Sequence, residues 1–148
     1  MAERCEALTY GCYIVTTILN GRRYGMTCCW ATQVDSDKIM LCLGKQSTTR
    51  KAIIESRVFG VSVLSESQKD LALRFGEGHS ADVDKFDGLQ IETGQLGVPL
   101  LPGSLKTSEC EVVNDTLPEY EQLLIGRIVH FSRSNAKEEP LLLSHIDE

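Results

Sequence analysis

A run of hydroxyl and basic side chains occupies the sequence LGKQSTTRKAI, residues 43–53. Consecutive hydroxyls suit the start of a helix, where a Ser or Thr side chain caps backbone N–H groups that have no partner within the helix. Basic side chains are unfavourable there, because the helix dipole attracts anions at that end. A bound phosphate would compensate, so the run predicts either a phosphate site or a capped helix with a solvated basic first turn. Its members are Lys45, Ser47, Thr48, Thr49, Arg50 and Lys51.

Two adjacent cysteines, in the sequence YGMTCCWATQV of residues 24–34, raise the question of a metal or disulfide site. Zinc ligands are usually paired a few residues apart, and no CxxC pattern or suitably spaced histidine occurs among the six cysteines and three histidines. Neighbouring residues of a strand point to opposite faces, so Cys28 and Cys29 are poorly placed to share one ion. The pattern favours buried thiols, and we predict no metal ligands.

The elements that position these residues are short. Asn20-Gly21 separates two segments rich in β-branched and aromatic residues, which predicts a tight hairpin because both turn residues accept positive φ. Ser47 predicts the start of one helix, and a capping box of Ser65 and Gln68 predicts a second helix that ends at Gly76. The main strands are predicted over residues 10–19, 24–34, 38–44, 58–65, 104–114 and 119–133, with short ones near 89–93 and 140–144, and the helices over 47–57 and 65–75.

Six or seven strands and two short helices predict a mainly β fold. Hairpin-like connections favour an antiparallel barrel over alternating βαβ units. No GxGxxG follows a strand and no Walker motif is present, which argues against classical dinucleotide and P-loop sites. We expect residues 1–148 to form a single domain.

Composition excludes several classes of function. The formal net charge of −6 argues against sequence-independent nucleic-acid binding, which relies on a basic surface. No apolar run approaches the length of a membrane span. The opening MAERCEALTY lacks the basic and apolar regions of a signal peptide, so we expect a cytoplasmic protein without membrane or nucleic-acid partners.

Seven segments in one order carry a resemblance to a known family. They are the long hairpin ending in YGMTCCWATQV, LGKQSTTRKAI, FGVSVLS, KDLALRFG, DKFDG, SECEVV and LLIGRIV. In order and spacing the chain resembles the flavin reductase-like family of FMN-binding split barrels. The resemblance implies an antiparallel six- or seven-stranded split barrel of Greek-key type, which forms a homodimer and holds FMN near the subunit interface.

The resemblance also implies roles for individual residues. The Gly-Met-Thr strand would lie along the isoalloxazine ring, and the hydroxyl cluster would bind the FMN phosphate with basic side chains nearby. The Lys-Phe pair after the second helix would lie by the flavin edge or the partner subunit. Cofactor binding is thus predicted for Met26, Thr27, Cys28 and Cys29 at the ring, for Lys45, Ser47, Thr48, Thr49, Arg50 and Lys51 at the phosphate, and for Lys85 and Phe86. Which of the two adjacent cysteines faces the flavin stays open.

The implied activity is reduction of FMN by NADH or NADPH, with hydride passing from nicotinamide C4 to flavin N5 and no catalytic side chain required. One departure from the family favours an alternative. Many members carry a histidine where this chain has Glu121, and a carboxylate there could repel an anionic nicotinamide dinucleotide. The alternative is a non-enzymatic FMN electron carrier with a basic redox-protein partner, and a third interpretation is a flavin-binding barrel without turnover.

Overall fold

Seven antiparallel strands form one sheet in the computed structural model, which describes residues 7–77, 84–114, 122–135 and 137–146. The elements in chain order are β1 (Tyr13–Leu19), β2 (Arg22–Cys28), β3 (Ala31–Asp35), β4 (Lys38–Cys42), α1 (Thr48–Ser56), β5 (Val58–Val63), α2 (Lys69–Phe75) after a 3-10 turn (Glu66–Gln68), β6 (Glu92–Thr93), β7 (Pro99–Leu100), β8 (Lys106–Asn114), β9 (Leu123–Arg133) and α3 (Leu143–Ile146). The large sheet has the order β2-β1-β5-β8-β9-β4-β3, and β6 pairs with β7. The predicted mainly β, antiparallel class is confirmed.

The first hairpin forms as predicted. Leu19 faces Arg22 across a two-residue turn, in which Asn20 has φ 52° and Gly21 has φ 79°. Asn and Gly tolerate the left-handed conformation that a two-residue turn with this twist requires. The turn therefore sets the register of β2, the strand that carries the Gly-Met-Thr sequence.

The two edge strands of the large sheet, β2 and β3, are consecutive in the chain. Only Cys29 and Trp30 separate them, and so short a link spans at most about 11 Å. The two edges must lie close together, so the sheet curls towards a barrel. The predicted continuous strand over residues 24–34 is wrong at this corner, because the chain leaves β1 as its partner after Cys28 and takes β4 from Ala31 onwards.

The core consists of two clusters, one on each face of the sheet. Along β1, Val15 points into one and Ile14 into the other, as the two-residue period of a strand requires. The inner cluster includes Cys28, Leu41, Ile53, Phe59 and Leu124, so α1 packs against it through Ile53. The outer cluster includes Cys12, Ala72, Phe75, Phe86 and Leu141, so α2 covers the other face.

Both predicted helices are present with the predicted caps. Ser47 is the N-cap of α1, which ends at Arg57 in the left-handed conformation with φ 70°. The capping box of Ser65 and Gln68 precedes α2, which stops at Gly76. Local side-chain hydrogen bonds fix the starts of the two helices, and this is why the sequence predicts the starts well.

Two expectations about the short elements are wrong. Residues 140–144 form isolated bridges from Pro140 and Leu142 instead of a strand, and α3 follows. Proline offers no N–H to a ladder, and the N–H of Leu142 donates to Nδ1 of His145, which begins a turn. The strand near residues 89–93 is only β6, and its partner β7 lies in a segment predicted to be a loop.

Candidate functional site

The N-terminus of α1 is a compact set of hydrogen-bond donors. The backbone N–H of Arg50 donates to Ser47 Oγ at 3.1 Å, which fixes the first turn. This turn contains no acidic side chain, while Lys45 and Lys51 are exposed beside it. Hydroxyls, backbone N–H groups, the positive dipole end and cations are together the groups that suit a phosphate.

Arg50 and Thr49 are less accessible than the sequence suggests. Arg50 is 8% exposed, and its Nε is buried without a hydrogen-bond acceptor among the described residues, although the residue makes other interactions. Thr49 is 2% exposed, whereas Ser47 and Thr48 are half-buried. The geometry therefore favours the hydroxyls of Ser47 and Thr48 over that of Thr49 for contact with a ligand.

A direct contact joins this helix end to strand β2. The hydroxyl of Ser47 donates to Met26 Sδ, with the two atoms 3.1 Å apart. A thioether sulfur is a weak acceptor, so the same hydroxyl can turn to a phosphate oxygen at little cost. The structure thus brings together two segments, the hydroxyl cluster and the Gly-Met-Thr strand, that are separated by about twenty residues of sequence.

Strand β2 has one edge without a strand partner, because it is the last strand of the sheet. On that edge the carbonyl of Gly25 accepts from Lys85 Nζ at 3.1 Å. Alternate residues of an edge strand direct their backbone groups to the same side, so the N–H and C=O of Thr27 also point away from β1. The Thr27 side chain is used elsewhere, since its Oγ1 donates to Ala72 O at 2.5 Å.

The thiols of Cys28 and Cys29 point to opposite faces of the sheet. Cys28 is 4% exposed in the inner cluster, and its Sγ lies 3.5 Å from Trp30 O. Burial raises the pKa of the Cys28 thiol to about 12. Cys29 packs instead on the outer cluster against Cys12. The backbone of these residues is thus better placed than their sulfur atoms to line a ligand.

Lys85 and Phe86 are buried beside β2 and the end of α2 instead of lying on an open surface. Lys85 is 5% exposed, and its ammonium donates to Gly25 O and, at 2.9 Å, to Phe75 O. Burial lowers the pKa of Lys85. Phe86 is 1% exposed and meets Phe75 edge to face, with ring centroids 5.0 Å apart. In this position the pair holds β2 against α2, and direct contact with a cofactor stays a prediction.

A hollow of about 520 Å³ opens elsewhere on the sheet, and none of the predicted cofactor residues lines it. Its walls come from several strands and combine apolar and basic side chains, and Phe131 at its rim is 54% exposed. The sequence offered no signal for it beyond strand alternation, because strands distant in the chain form its walls. The lining residues include Tyr13, Gln33, Ile39, Val61, Val63, Lys106, Ser108, Ile128, Phe131 and Arg133.

Some expectations fall outside what the structure describes. Glu121, the position of the departure from the family pattern, lies outside the described residues. In the part of the chain that is described, no three His, Cys, Asp or Glu side chains come together in a metal-binding group. No helix within that part is long and apolar enough to cross a membrane.

Comparison with known proteins identifies relatives of this chain. Residues 5–147 match the model of the flavin reductase like domain. A ferric-chelate reductase (NAD(P)H) of Archaeoglobus fulgidus is 37% identical over 131 residues, which are 86% of this chain and 78% of the relative. The reductase subunit HsaB of a flavin-dependent monooxygenase from Rhodococcus jostii is 35% identical over 146 residues, 96% of this chain and 70% of the relative.

Among solved structures, the NADH:FAD oxidoreductase SgcE6 of Streptomyces globisporus has a similar fold. Its TM-score is 0.83 at 26% identity, over 91% of this chain and 81% of that one. The similarity extends over most of the described sheet, so the predicted split-barrel architecture is confirmed as well.

Proposed function

The chain belongs to the flavin reductase like domain family, and from that premise we propose that it binds FMN and reduces it with NADH or NADPH. One observation carries the proposal: the capped N-terminus of α1 touches the edge strand β2 through Ser47 and Met26, 3.1 Å apart. The helix end suits the phosphate of FMN, and the strand edge suits its flat ring. Because the two lie side by side, they match the two chemical ends of the cofactor.

The phosphate end is assigned to the first turn of α1. A phosphate monoester carries about −1.5 to −2 charges near neutral pH, and the turn offers hydroxyls, N–H groups and no carboxylate. Ser47 and Thr48 donate hydroxyl protons, and the exposed ammonium groups of Lys45 and Lys51 supply opposite charge. Arg50 adds a guanidinium in the same turn.

The ring end is assigned to the outward edge of β2. The backbone of Thr27 presents an N–H and a C=O that the strand pairing leaves unused, and these suit the polar edge of a flat heterocycle. Met26 supplies polarisable apolar surface next to Ser47. Lys85 holds the strand through Gly25 O on this same edge, and Phe86 packs beside it against Phe75.

When bound, FMN supplies a ring that accepts hydride from the nicotinamide, so this chemistry belongs to the cofactor. The chain holds the phosphate, orients the ring along β2 and limits the access of water. No acid, base or nucleophile from the protein is assigned a step.

A homodimer is part of the proposal. The hollow near Phe131 exposes aromatic and aliphatic side chains, together with Lys106 and Arg133. A second copy that covers this face would bury the apolar surface. The acidic net charge of −6 suits a basic redox-protein partner. We also place the protein in the cytoplasm, whose reducing conditions keep cysteines as thiols.

The test is spectroscopic. Purified protein is expected to take up added FMN, and NADH or NADPH added without oxygen is expected to bleach the visible flavin bands. Failure to bind FMN or FAD would refute the site. Bound flavin that stays oxidised with both nucleotides would refute the reductase and leave the electron carrier.

A further inference from the structure

Two sulfur atoms, one on the residue just before β1 and one on the residue just after β2, lie in van der Waals contact. The Sγ atoms of Cys12 and Cys29 are 3.5 Å apart. Cys12 is 1% exposed within the outer cluster, and Cys29 is half-buried against it. The proposed flavin site uses the backbone of β2 and does not account for the contact between the two thiols.

The two cysteines flank the last backbone pair of the first hairpin. That pair is Tyr13 with Cys28, so Cys12 directly precedes it on one side and Cys29 directly follows it on the other. The N–H of Cys12 donates to Leu141 O at 3.0 Å and its carbonyl accepts from Leu64 N at 3.1 Å, so its backbone bonds point away from β2. The contact between the two residues is therefore made by their side chains, whose sulfur atoms are 3.5 Å apart. A disulfide bond of about 2.05 Å requires the sulfur atoms to approach by roughly 1.5 Å, which side-chain rotation with a small backbone shift supplies.

We propose that Cys12 and Cys29 are a redox-active dithiol that hydrogen peroxide converts to a reversible disulfide. The thiolate of Cys29, the more accessible of the two, attacks one peroxide oxygen; the O–O bond breaks, and hydroxide leaves and takes up a proton as water. The sulfur of Cys12 then attacks the sulfenic sulfur of Cys29; the S–S bond forms, the S–O bond breaks and a second water leaves. Two thiols lose two electrons and two protons, and one peroxide becomes two waters.

Our inference about where the peroxide comes from rests on the proposed function. The inference that the two thiols pair does not rest on it. Reduced flavin reacts with oxygen to give hydrogen peroxide, so a flavin reductase generates this oxidant close to Cys29. The bond would tie the end of β2 to Cys12, whose backbone is held on its other side by Leu64 and Leu141. Oxidation would thereby restrain the strand whose edge is assigned to the flavin ring.

The experiment uses the full chain without flavin, reduced and then treated with stoichiometric hydrogen peroxide. Remaining thiols are alkylated before mass spectrometry. The protein is expected to lose about 2 Da and two alkylation sites, and dithiothreitol is expected to restore both. Cleavage after Tyr10 separates Cys5 from Cys12, and cleavage after Arg23 separates Cys12 from the adjacent cysteines, so the linked peptides identify the bond.

Three variants complete the assignment. Cys12→Ser and Cys29→Ser are each expected to abolish the linked peptide, and the second also distinguishes Cys29 from Cys28. Cys42→Ser, which removes another half-buried thiol, is expected to form the bond as the parent does. A parent protein that stays fully reduced, oxidises Cys29 without pairing or links any other two cysteines would overturn the proposal. Because the assay contains no flavin, its result is independent of the proposed reductase activity.

Discussion

At the scale of single residues, Ser47 has two roles, helix cap and proposed phosphate ligand, which a substitution can test separately. Its oxygen accepts from Arg50 N as the cap of α1, while its hydroxyl proton points to Met26 and is available to a phosphate. An aspartate also caps helices well, but it carries a charge that repels phosphate. A serine and an aspartate at this position therefore differ in ligand binding more than in stability.

Ser47→Asp is expected to leave the free energy of unfolding within about 0.5 kcal/mol of the parent. The dissociation constant for FMN should rise about 10-fold or more, because a hydroxyl donor is replaced by a negative charge. Fluorescence titration measures FMN and, as the control, riboflavin, which has no phosphate. Equal losses for both ligands would contradict the assignment of Ser47 to the phosphate.

Lys85 is a second residue whose contacts can be tested. Its buried ammonium bonds two carbonyls, one on β2 and one at the end of α2. Lys85→Met should lower the free energy of unfolding by about 1–3 kcal/mol, since both carbonyls lose a charged donor. Lys51→Met, at an exposed position of α1, is the control and should change it by less than about 0.5 kcal/mol in urea unfolding. Similar values for the two variants would show that the Lys85 contacts contribute little.

At the scale of elements, the close approach of β9 to the inner cluster depends on a glycine, Gly126. A Cβ added at Gly126 would lie 2.4 Å from the ring of Phe59, which is 0% exposed. That ring has no free direction in which to move, because it is part of the close-packed inner cluster. The sequence shows a glycine in a strand, but the approaching ring belongs to β5, about 65 residues away.

Gly126→Ala is expected to destabilise the fold by about 1–3 kcal/mol through overpacking against Phe59. Gly44→Ala is the matched control, because nothing lies within 4 Å of a Cβ added there. Chemical denaturation monitored by Trp30 fluorescence measures both variants. A Gly126→Ala protein as stable as the control would mean that β9 shifts without cost.

At the scale of the whole molecule, the sheet has a hollow lined by apolar and basic side chains. Phe131 lies on β9, which pairs with β8 and β4, and its side chain is 54% exposed. The proposed homodimer accounts for that exposure by covering the hollow with a second copy. Val61 in the wall of the hollow belongs to the inner cluster, but Phe131 does not, so a charge at residue 131 should disrupt association while the cluster stays packed.

Phe131→Glu is expected to convert a dimer into a monomer in sedimentation velocity. Leu73→Glu introduces the same charge at a position that is 41% exposed on α2, away from the hollow, and should remain dimeric. The reverse pattern would place the interface on the α2 side. A parent that sediments as a monomer at all concentrations would refute the dimer itself.

Much of the fold could be predicted from the sequence because its signals are local. The Asn20-Gly21 turn and the caps at Ser47 and Ser65 depend on residues within a few positions, and they form as predicted. The corner at Cys29 and Trp30 could not be predicted, because it depends on which distant strand each half of residues 24–34 pairs with. The site divides in the same way: the hydroxyl cluster is visible in the sequence, whereas its contact with Met26 is not.

By itself, the sequence determined the first hairpin turn, the helix ends and the mainly β class, since these rest on residue types at short spacing. It also indicated the family, through the order and spacing of seven segments along the chain. Only the tertiary structure decided that Lys85 is buried against two carbonyls, that Ser47 touches Met26 and that Cys12 touches Cys29. The reason is physical: these contacts join segments that are remote in the chain, and only the closing of the sheet brings their atoms within a few ångströms of one another.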